Sequence, residues 1–538
     1  MTKKTVLVCG QPGIAVRHCL RRVVESIPGA AHAVFLEDKM QEVSGREFRS
    51  AILDSCLREQ YAIWGQGFEA AVTELRKQEK HPATFLSFHA VYHHPRTRDF
   101  YCPIDPRRLQ RLEDRVKCVV VLVDDIFDIY SRLLQPNEIY HETSQQASVE
   151  GLFAGVGNLL EILQWRQHEI AASRWISMLL GVPLVVLATK HNVRTLARMA
   201  TRRLDQLRLL YLSHPITSIR KQSARYPDFP GEVDEFARRV SRFDNVVLFE
   251  PAAIDEFGRF GRTERGLLKP SLTMRWSLSS AQHETIAPPL QAAPRADWCL
   301  DPQSAYASQK GAAQHEVHRL LRLLEDQIGV QVGSRDFTLV EQATSGVVAY
   351  RPYYPDILSS GAWQELDHNN AMRRLEGATR RKCLVVSVDD DYCRNRITKF
   401  FSRLQMYLDI PSEKTEQRLQ ELCARWLADG DILGGFRVDQ DLHRTVERRL
   451  PEIEAALPNG YKFRKVAVTT PLGGTAQAIG RANRQEGFAT VCRETLEDDI
   501  KSLVVQGGVY RPRLDSRASL LGEADALLKS VFGVKEAA

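Results

Sequence analysis

Residues 336–388 read DFTLVEQATSGVVAYRPYYPDILSSGAWQELDHNNAMRRLEGATRRKCLVVSV. The apolar runs Val347–Tyr350 and Leu384–Val388 are typical of strands buried on both faces of a parallel sheet. About thirty residues separate them, which is enough for one crossover helix. Ligands of such a unit bind where the loop after the first strand meets the helix. Four candidate site residues fall there: Ser359, Ser360, Gly361 and Glu365.

Other strand-like runs alternate with helical patterns along the chain. They are Thr5–Cys9, Ala83–Phe88, Cys118–Val123, Pro183–Ala188, Leu209–Ser213 and Asn245–Pro251. This alternation predicts an α/β protein with two parallel-sheet, three-layer domains. We place the first domain at residues 1–205 and the second at 206–395, with a proline-rich surface excursion at about 260–305. Residues 396–538 carry charged helical patterns and predict a mostly helical C-terminal region.

Composition limits the classes of function. The chain has 538 residues, 43% apolar and 26% charged, and lacks the run of about eighteen apolar residues that a membrane span needs. No signal peptide is expected, since MTKK leads directly into an apolar run. Ten cysteines without a CxxC pair favour reduced thiols in the cytoplasm and predict no metal site. The net charge of +6 is a weak argument for a nucleic-acid partner.

The opening segment TVLVCGQPGIAVRH, residues 5–18, has the strand, loop and helix layout of a P-loop. Aligned on Gly10, the pattern requires Gly, Lys and Ser or Thr at the positions of Ala15, Val16 and Arg17. The missing lysine would neutralise phosphate charge during phosphoryl transfer. We therefore expect no kinase activity from this domain.

Four further segments of the first domain carry a resemblance to a known family. They are FLSFHAVYHH (85–94), VVVLVDDIFDIYSRL (119–133), LQWRQHEIAASR (163–174) and VPLVVLATKHN (182–192). With the opening segment, they resemble the adenylate-kinase-like nucleoside monophosphate kinases over about 1–205. The resemblance implies a degenerate domain that senses a regulatory nucleotide through Gly10, Gly13, Arg17, Arg166 and Arg174. The alternative is an α/β scaffold that binds no ligand.

The second domain resembles the nucleoside 2-deoxyribosyltransferases over about 206–392. The matching parts are YLSHPI at 211–216, Asp336, and SSGAWQE at 359–365. The resemblance implies that Glu365 is the nucleophile and that Asp336 binds a sugar hydroxyl or assists proton transfer. A carboxylate suits this role because N-glycosidic cleavage passes through an oxocarbenium-like transition state. The implied substrate-binding residues of the first loop are Tyr211, Ser213, His214 and Pro215.

One position departs from the family pattern. Ser359 stands where the family has an aspartate six residues before the nucleophile, and Asp356 lies nearby as a replacement. This change favours hydrolysis over base transfer. The segment TSIRKQ at 217–222 is similar to a phosphate-binding loop of deoxynucleoside monophosphate N-glycosidases. The similarity implies that Ser218 and Arg220 bind a 5′-phosphate.

The sequence therefore predicts an N-glycosidase acting on a nucleotide or deoxynucleotide, without a required cofactor. Its domain combination resembles nucleotide-depleting effectors of bacterial antiviral defence, including those carried with retrons. NAD hydrolysis is one alternative, because SSGAWQE is also similar to the glutamate helix of TIR-type NAD hydrolases. Base exchange and a non-catalytic protein that senses nucleotides or binds a protein or nucleic-acid partner are the others. We expect a homo-oligomer.

Overall fold

The structure of the protein is a computed structural model. It describes residues 3–94, 97–134, 139–140, 149–216, 229–254, 256, 260–262, 268–270, 285–286, 312–351, 360–375, 381–387, 524–526, 528–529 and 531–536. The chain divides into two compact units. The first unit contains Met1–Leu207 and Asn245–Gln342. The second contains Arg208–Asp244 and Ala343–Ala538.

Strands and helices alternate along the described chain. The strands are β1 Thr5–Cys9, β2 Ala31–Phe35, β3 Ala83–Ser87, β4 Tyr92–His93, β5 Phe100–Tyr101, β6 Val116–Val123, β7 Leu184–Ala188, β8 Arg208–Ser213, β9 Val246–Phe249, β10 Phe260–Arg262, β11 Leu268–Pro270, β12 Gly346–Arg351 and β13 Lys382–Ser387. The α-helices are α1 Val16–Ser26, α2 Leu36–Ser44, α3 Leu57–Lys77, α4 Pro106–Gln110, α5 Ile126–Leu133, α6 Val149–Leu179, α7 Val193–Thr201, α8 Phe229–Ser241, α9 Ala312–Gln342 and α10 Ser360–Leu375.

A five-stranded parallel sheet forms the centre of the first unit. Its strands lie in the order β2, β3, β1, β6, β7, and each neighbouring pair is parallel. Strand β1 is central, with Val6 opposite Phe85 on one side and Cys118 on the other. All five residues of β1 are buried, which explains why this strand lacks a polar face.

The core of the first unit combines the sheet with helix α3. Trp64 and Phe68 lie four residues apart on α3, and their stacked rings are 5.1 Å apart between centroids. Both side chains are fully buried in a cluster with Leu7, Leu86 and Val121 from three strands. Burial of such aromatic side chains fixes the helix against the sheet.

The second unit contains a parallel arrangement of β13, β12 and β8. Val348 of β12 lies opposite Leu384 of β13 and Leu212 of β8. Helix α10 runs between β12 and β13 in the chain. The predicted strand, crossover helix and parallel strand around residues 347–388 are therefore confirmed.

The described structure confirms the α/β class and each predicted strand, with ends moved by one or two residues. Strands β2, β4, β5, β10 and β11 were not predicted. The sequence pattern places residues 206–395 in one domain, whereas the observed division assigns Asn245–Gln342 to the first unit. The predicted helical region 396–538 lies outside the described residues, except for the short segments at 524–536.

His191 is a buried histidine of the first unit, and both of its ring nitrogens are hydrogen-bonded. His191 Nδ1 donates to the Ala188 carbonyl at 3.0 Å, and its Nε2 accepts from the Glu250 amide at 2.9 Å. The second bond requires a neutral ring. Burial, with a smaller effect from Arg335, lowers the pKa of His191 from 6.5 to about 4.

We expect the His191 interaction to stabilise the fold above pH 6.5 and to be lost progressively as the pH falls towards 4. Relative to His191→Gln, which donates and accepts without titrating, the parent should lose roughly 2–3 kcal/mol of unfolding free energy over that range. Urea unfolding of both proteins at pH 7 and 4.5 measures the loss of unfolding free energy in each. The other titrating groups are the same in the two proteins, so their contributions cancel when the two losses are subtracted. Equal losses in the two proteins would contradict the assignment.

Candidate functional site

Glu365 lies in a buried polar cluster of the second unit. Its side chain belongs to the second turn of α10 and is 8% exposed. The Tyr211 hydroxyl donates to Glu365 Oε1 at 2.8 Å, and the Ser213 hydroxyl donates to Oε2 at 2.5 Å. Both donors are fully buried. The carboxylate is therefore held through both of its oxygens.

The strand geometry explains why these donors meet the glutamate. Tyr211 and Ser213 are alternate residues of β8, so their side chains point to the same face of the sheet. Ser213 is the last residue of β8, at its carboxyl end. Strand β12, which leads towards α10, pairs in parallel with β8. The helix following β12 thus returns over the end of β8, where ligands of parallel sheets bind.

The arrangement suits a carboxylate nucleophile. Hydrogen bonds from hydroxyl groups to an ionised oxygen are short and strong, and two of them fix the plane of the Glu365 carboxylate. Each carboxylate oxygen retains further lone-pair capacity after accepting one bond. Fixed orientation lowers the entropic cost of bringing the oxygen to a reacting carbon.

Asn369 is a buried polar residue of α10 that the sequence analysis missed. It lies four residues after Glu365 on α10, so both side chains share one helix face. Its side chain is 1% exposed, and its Oδ1 has no hydrogen-bond partner among the described residues. The i, i+4 spacing from the candidate nucleophile is the signal that would have identified Asn369.

The other predicted residues of the second domain have different outcomes. His214 follows β8, is 4% exposed, and its ring centroid lies 6.2 Å from that of Phe229. Pro215 is the next residue and is also buried. Ser360 and Gly361 open α10, and Gly361 is exposed. Four residues lie outside the described part of the chain: Ser218, Arg220, Asp356 and Ser359.

Asp336 belongs to the first unit, whereas Glu365 belongs to the second. It lies on the long helix α9, and its Oδ1 accepts from the Arg335 guanidinium at 2.9 Å. Arg335 also donates to the Ile254 carbonyl at 3.1 Å. The Asp336 carboxylate is therefore ion-paired with the adjacent Arg335 on the same helix.

The P-loop-like segment of the first unit keeps an unusual backbone. Gly13 has φ +85°, and Ala15 has φ +56° at the position where the P-loop pattern has its second glycine. A left-handed φ at alanine is rare and is strained. The loop between β1 and α1 therefore has two residues in the left-handed region, one of which is an alanine.

Side chains of Glu169 and Val16 pack against Gly10, the first residue of this loop. The Gly10 amide donates to Glu169 Oε1 at 3.0 Å, and Val16 lies close enough that a Cβ at Gly10 would meet its Cγ2 at 3.1 Å. Glu169 also accepts from the amides of Ala90 and Val91, at 2.8 and 2.9 Å. The Glu169 carboxylate therefore joins the loop after β1 to the loop after β3.

Burial raises the pKa of the Glu169 carboxyl to about 7, while His89 and the three amide bonds act in the opposite direction. The residue is 1% exposed.

The predicted cations of this domain are not gathered at one place. Arg17 pairs with Asp38 and lies over the Phe35 ring, with its Cζ 4.5 Å from the centroid. Arg166 is buried and pairs with Glu256 at 2.6 Å. Arg174 is exposed on α6. Of the three, Arg17 lines the large cavity of the first unit.

Comparison of the chain with models of known protein families finds no match, and comparison with curated proteins finds none either. Among the described residues, no group of three or more His, Cys, Asp or Glu side chains is placed to hold a metal ion. No helix within that part of the chain is long and apolar enough to cross a membrane.

Proposed function

We propose that the second unit hydrolyses the base–sugar bond of a nucleotide or deoxynucleotide, with Glu365 as the nucleophile. The observation that carries the proposal is the buried Glu365 carboxylate, which accepts hydrogen bonds from the Tyr211 and Ser213 hydroxyls at the carboxyl end of β8. A carboxylate in this setting, at the helix that follows a parallel strand, matches the chemistry of glycosidic cleavage.

In the proposed reaction, a Glu365 oxygen bonds to the anomeric carbon as the bond from that carbon to the base nitrogen breaks. The bonding electrons leave with the base, which takes up a proton from solvent. Water then attacks the same carbon and loses a proton to solvent, its oxygen stays on the sugar, and the Glu365 carboxylate is released. One water is consumed for each free base and sugar phosphate formed.

Tyr211 and Ser213 act as positioning residues in this mechanism. Their hydroxyls hold the carboxylate plane and stabilise its negative charge when it is regenerated. Asn369 lies on the same helix face as Glu365, where its buried amide oxygen can accept a hydrogen bond from a sugar hydroxyl.

For the first unit, we propose a degenerate P-loop frame that does not transfer phosphate. Three observations support this: the strand, loop and helix layout around β1, the left-handed Ala15, and the use of the Gly10 amide by Glu169. The position of the P-loop lysine is held by Val16, which is buried.

Chromatography of free bases tests the proposed function. The parent protein is incubated with deoxynucleosides, their mono- and triphosphates, ribonucleotides and NAD, each with and without a second free base. We expect base release from a nucleotide or deoxynucleotide without an added acceptor. Nicotinamide release from NAD alone would favour the NAD hydrolase alternative, and product formed only with the second base would favour exchange. Absence of release from every member would contradict the proposal.

Removal of one hydroxyl donor provides a graded test. We expect Tyr211→Phe to lower kcat for base release about ten- to a hundredfold, because a hydrogen bond to a charged group contributes roughly 1.5–3 kcal/mol. KM should change little, since the Tyr211 hydroxyl donates to the Glu365 carboxylate and has no contact with the substrate in the proposed mechanism. The matched variant Tyr350→Phe removes a buried hydroxyl on neighbouring β12 and should leave kcat near that of the parent. Equal losses in both variants would indicate a general structural effect.

A further inference from the structure

The first unit contains a cavity of about 660 Å³, within the size range of small-molecule sites. It lies beside the P-loop-like segment and includes Gln11, Gly13 and Arg17 in its wall. Six aromatic side chains also line it: Phe35, Phe48, Phe88, Tyr92, Tyr140 and Trp165. Such a wall favours a planar ring system that can stack on aromatic faces.

The charges around the cavity disfavour a phosphorylated ligand. Its two lining arginines are both ion-paired, Arg17 with Asp38 and Arg98 with Glu161. Beyond these pairs, the wall carries two more carboxylate side chains, those of Glu37 and Glu47. Among the described residues of the wall, both arginines are already ion-paired, so a phosphate group would meet carboxylates there without an available arginine.

Two acceptor atoms of the wall lack donors in the described structure. Gln11 is 1% exposed; its Nε2 donates to the Ile162 carbonyl at 3.3 Å, and its Oε1 has no hydrogen-bond partner. The bond to a carbonyl also fixes which end of the Gln11 amide is the oxygen. Glu37 Oε1 accepts from the His89 amide at 3.0 Å and the Tyr92 hydroxyl at 3.2 Å. Glu37 Oε2 accepts no such bond from the described residues.

From these observations we propose that the cavity binds an uncharged, planar heterocycle with an amino group, such as a nucleobase or nucleoside without phosphate. The aromatic wall stacks on the ring. Gln11 Oε1 and Glu37 Oε2 accept from its N–H groups, which satisfies a buried acceptor that otherwise costs free energy. The site is thus distinct in chemistry from a nucleotide site that recognises phosphate.

Isothermal titration calorimetry with adenine, hypoxanthine, adenosine and adenosine monophosphate tests the proposal. The full-length chain carries Glu365→Gln in every experiment, so that turnover in the second unit does not interfere. We expect adenine to bind at least about tenfold more tightly than hypoxanthine, which has a carbonyl in place of the amino group. We also expect adenosine to bind at least about tenfold more tightly than its monophosphate, because of the wall carboxylates.

Glu37→Gln replaces the proposed acceptor at Oε2 with a donor and changes the shape of the side chain little. Its amide carbonyl can still accept from His89 and Tyr92, while its NH₂ group replaces the acceptor Oε2 with a donor. We expect this variant to bind adenine at least about tenfold more weakly and to gain affinity for hypoxanthine. Glu42→Gln, on the same helix α2 but paired with Lys39 at the surface, is the matched control and should bind as the parent does.

Three results would overturn the proposal: no detectable binding of adenine or adenosine, tighter binding of the monophosphate than of adenosine, or adenine affinity unchanged by Glu37→Gln. Circular dichroism and thermal unfolding establish that each variant is folded before binding is compared. Gln11→Leu provides an independent variant, because it removes the second acceptor without altering Glu37, and we expect it to weaken adenine binding as well.

Discussion

Replacement of Glu365 by glutamine is expected to lower base release at least about a thousandfold. The neutral amide oxygen is a poor nucleophile, and it does not stabilise the positive charge that develops on the sugar. The substitution preserves size, and glutamine can still accept from one of the two hydroxyls that bond to Glu365. Comparison of kcat for the parent and Glu365→Gln on the best substrate measures the effect.

Glu235→Gln is the matched control for this variant. It makes the same chemical change in the same unit, on helix α8. The Glu235 side chain is 37% exposed, and its Oε1 lies 3.9 Å from Arg239 Nε. Surface pairs of this kind contribute little, so its base release should equal that of the parent. A Glu365→Gln protein that cleaves as fast as the control would show that another residue carries the reaction.

Alanine at position 346 is expected to unfold the second unit. Gly346 has φ +125°, a conformation that residues with a side chain rarely adopt. An added Cβ would lie 1.8 Å from the Lys382 carbonyl oxygen of the paired strand β13, far inside any permitted contact. Because both the clash and the strain involve backbone atoms, we expect Gly346→Ala to cost at least about 4 kcal/mol. Urea unfolding followed by circular dichroism measures this loss.

Gly333→Ala gives the contrasting result for the same substitution. Gly333 lies inside α9, and an added Cβ there meets no atom within 4 Å. Alanine has the higher helix propensity, so a gain of roughly 0.5–1 kcal/mol in unfolding free energy is expected.

If Gly346→Ala proved as stable as the parent, the described pairing of β12 with β13 at this position would be wrong.

Much of the framework around Glu365 could be predicted because it depends on local sequence. Continuous apolar runs identify buried parallel strands. The spacing between Val347–Tyr350 and Leu384–Val388 leaves room for one crossover helix. Period-two alternation places Tyr211 and Ser213 on one face of β8. Strand β2 was missed because three of the five residues of Ala31–Phe35 are only partly buried, which gives it a weak apolar pattern.

Other features depend on contacts between residues far apart in the chain. Arg166 looks like a phosphate-binding cation in the sequence, but its partner Glu256 lies ninety residues away. The three amide bonds of Glu169 involve the loops after two different strands, and no spacing rule anticipates them. Such tertiary pairings decide whether a charged side chain is available to a ligand.

The most direct measurement is mass spectrometry of the protein after reaction with a 2′-fluorinated deoxynucleoside or its monophosphate. The fluorine destabilises the oxocarbenium-like transition state and slows release of the sugar from the enzyme. The proposed mechanism predicts loss of the free base and addition of one fluorosugar to the peptide that contains Glu365. Base release with the sugar attached to a different residue, or with no attached sugar at any time point, would contradict Glu365 as the nucleophile.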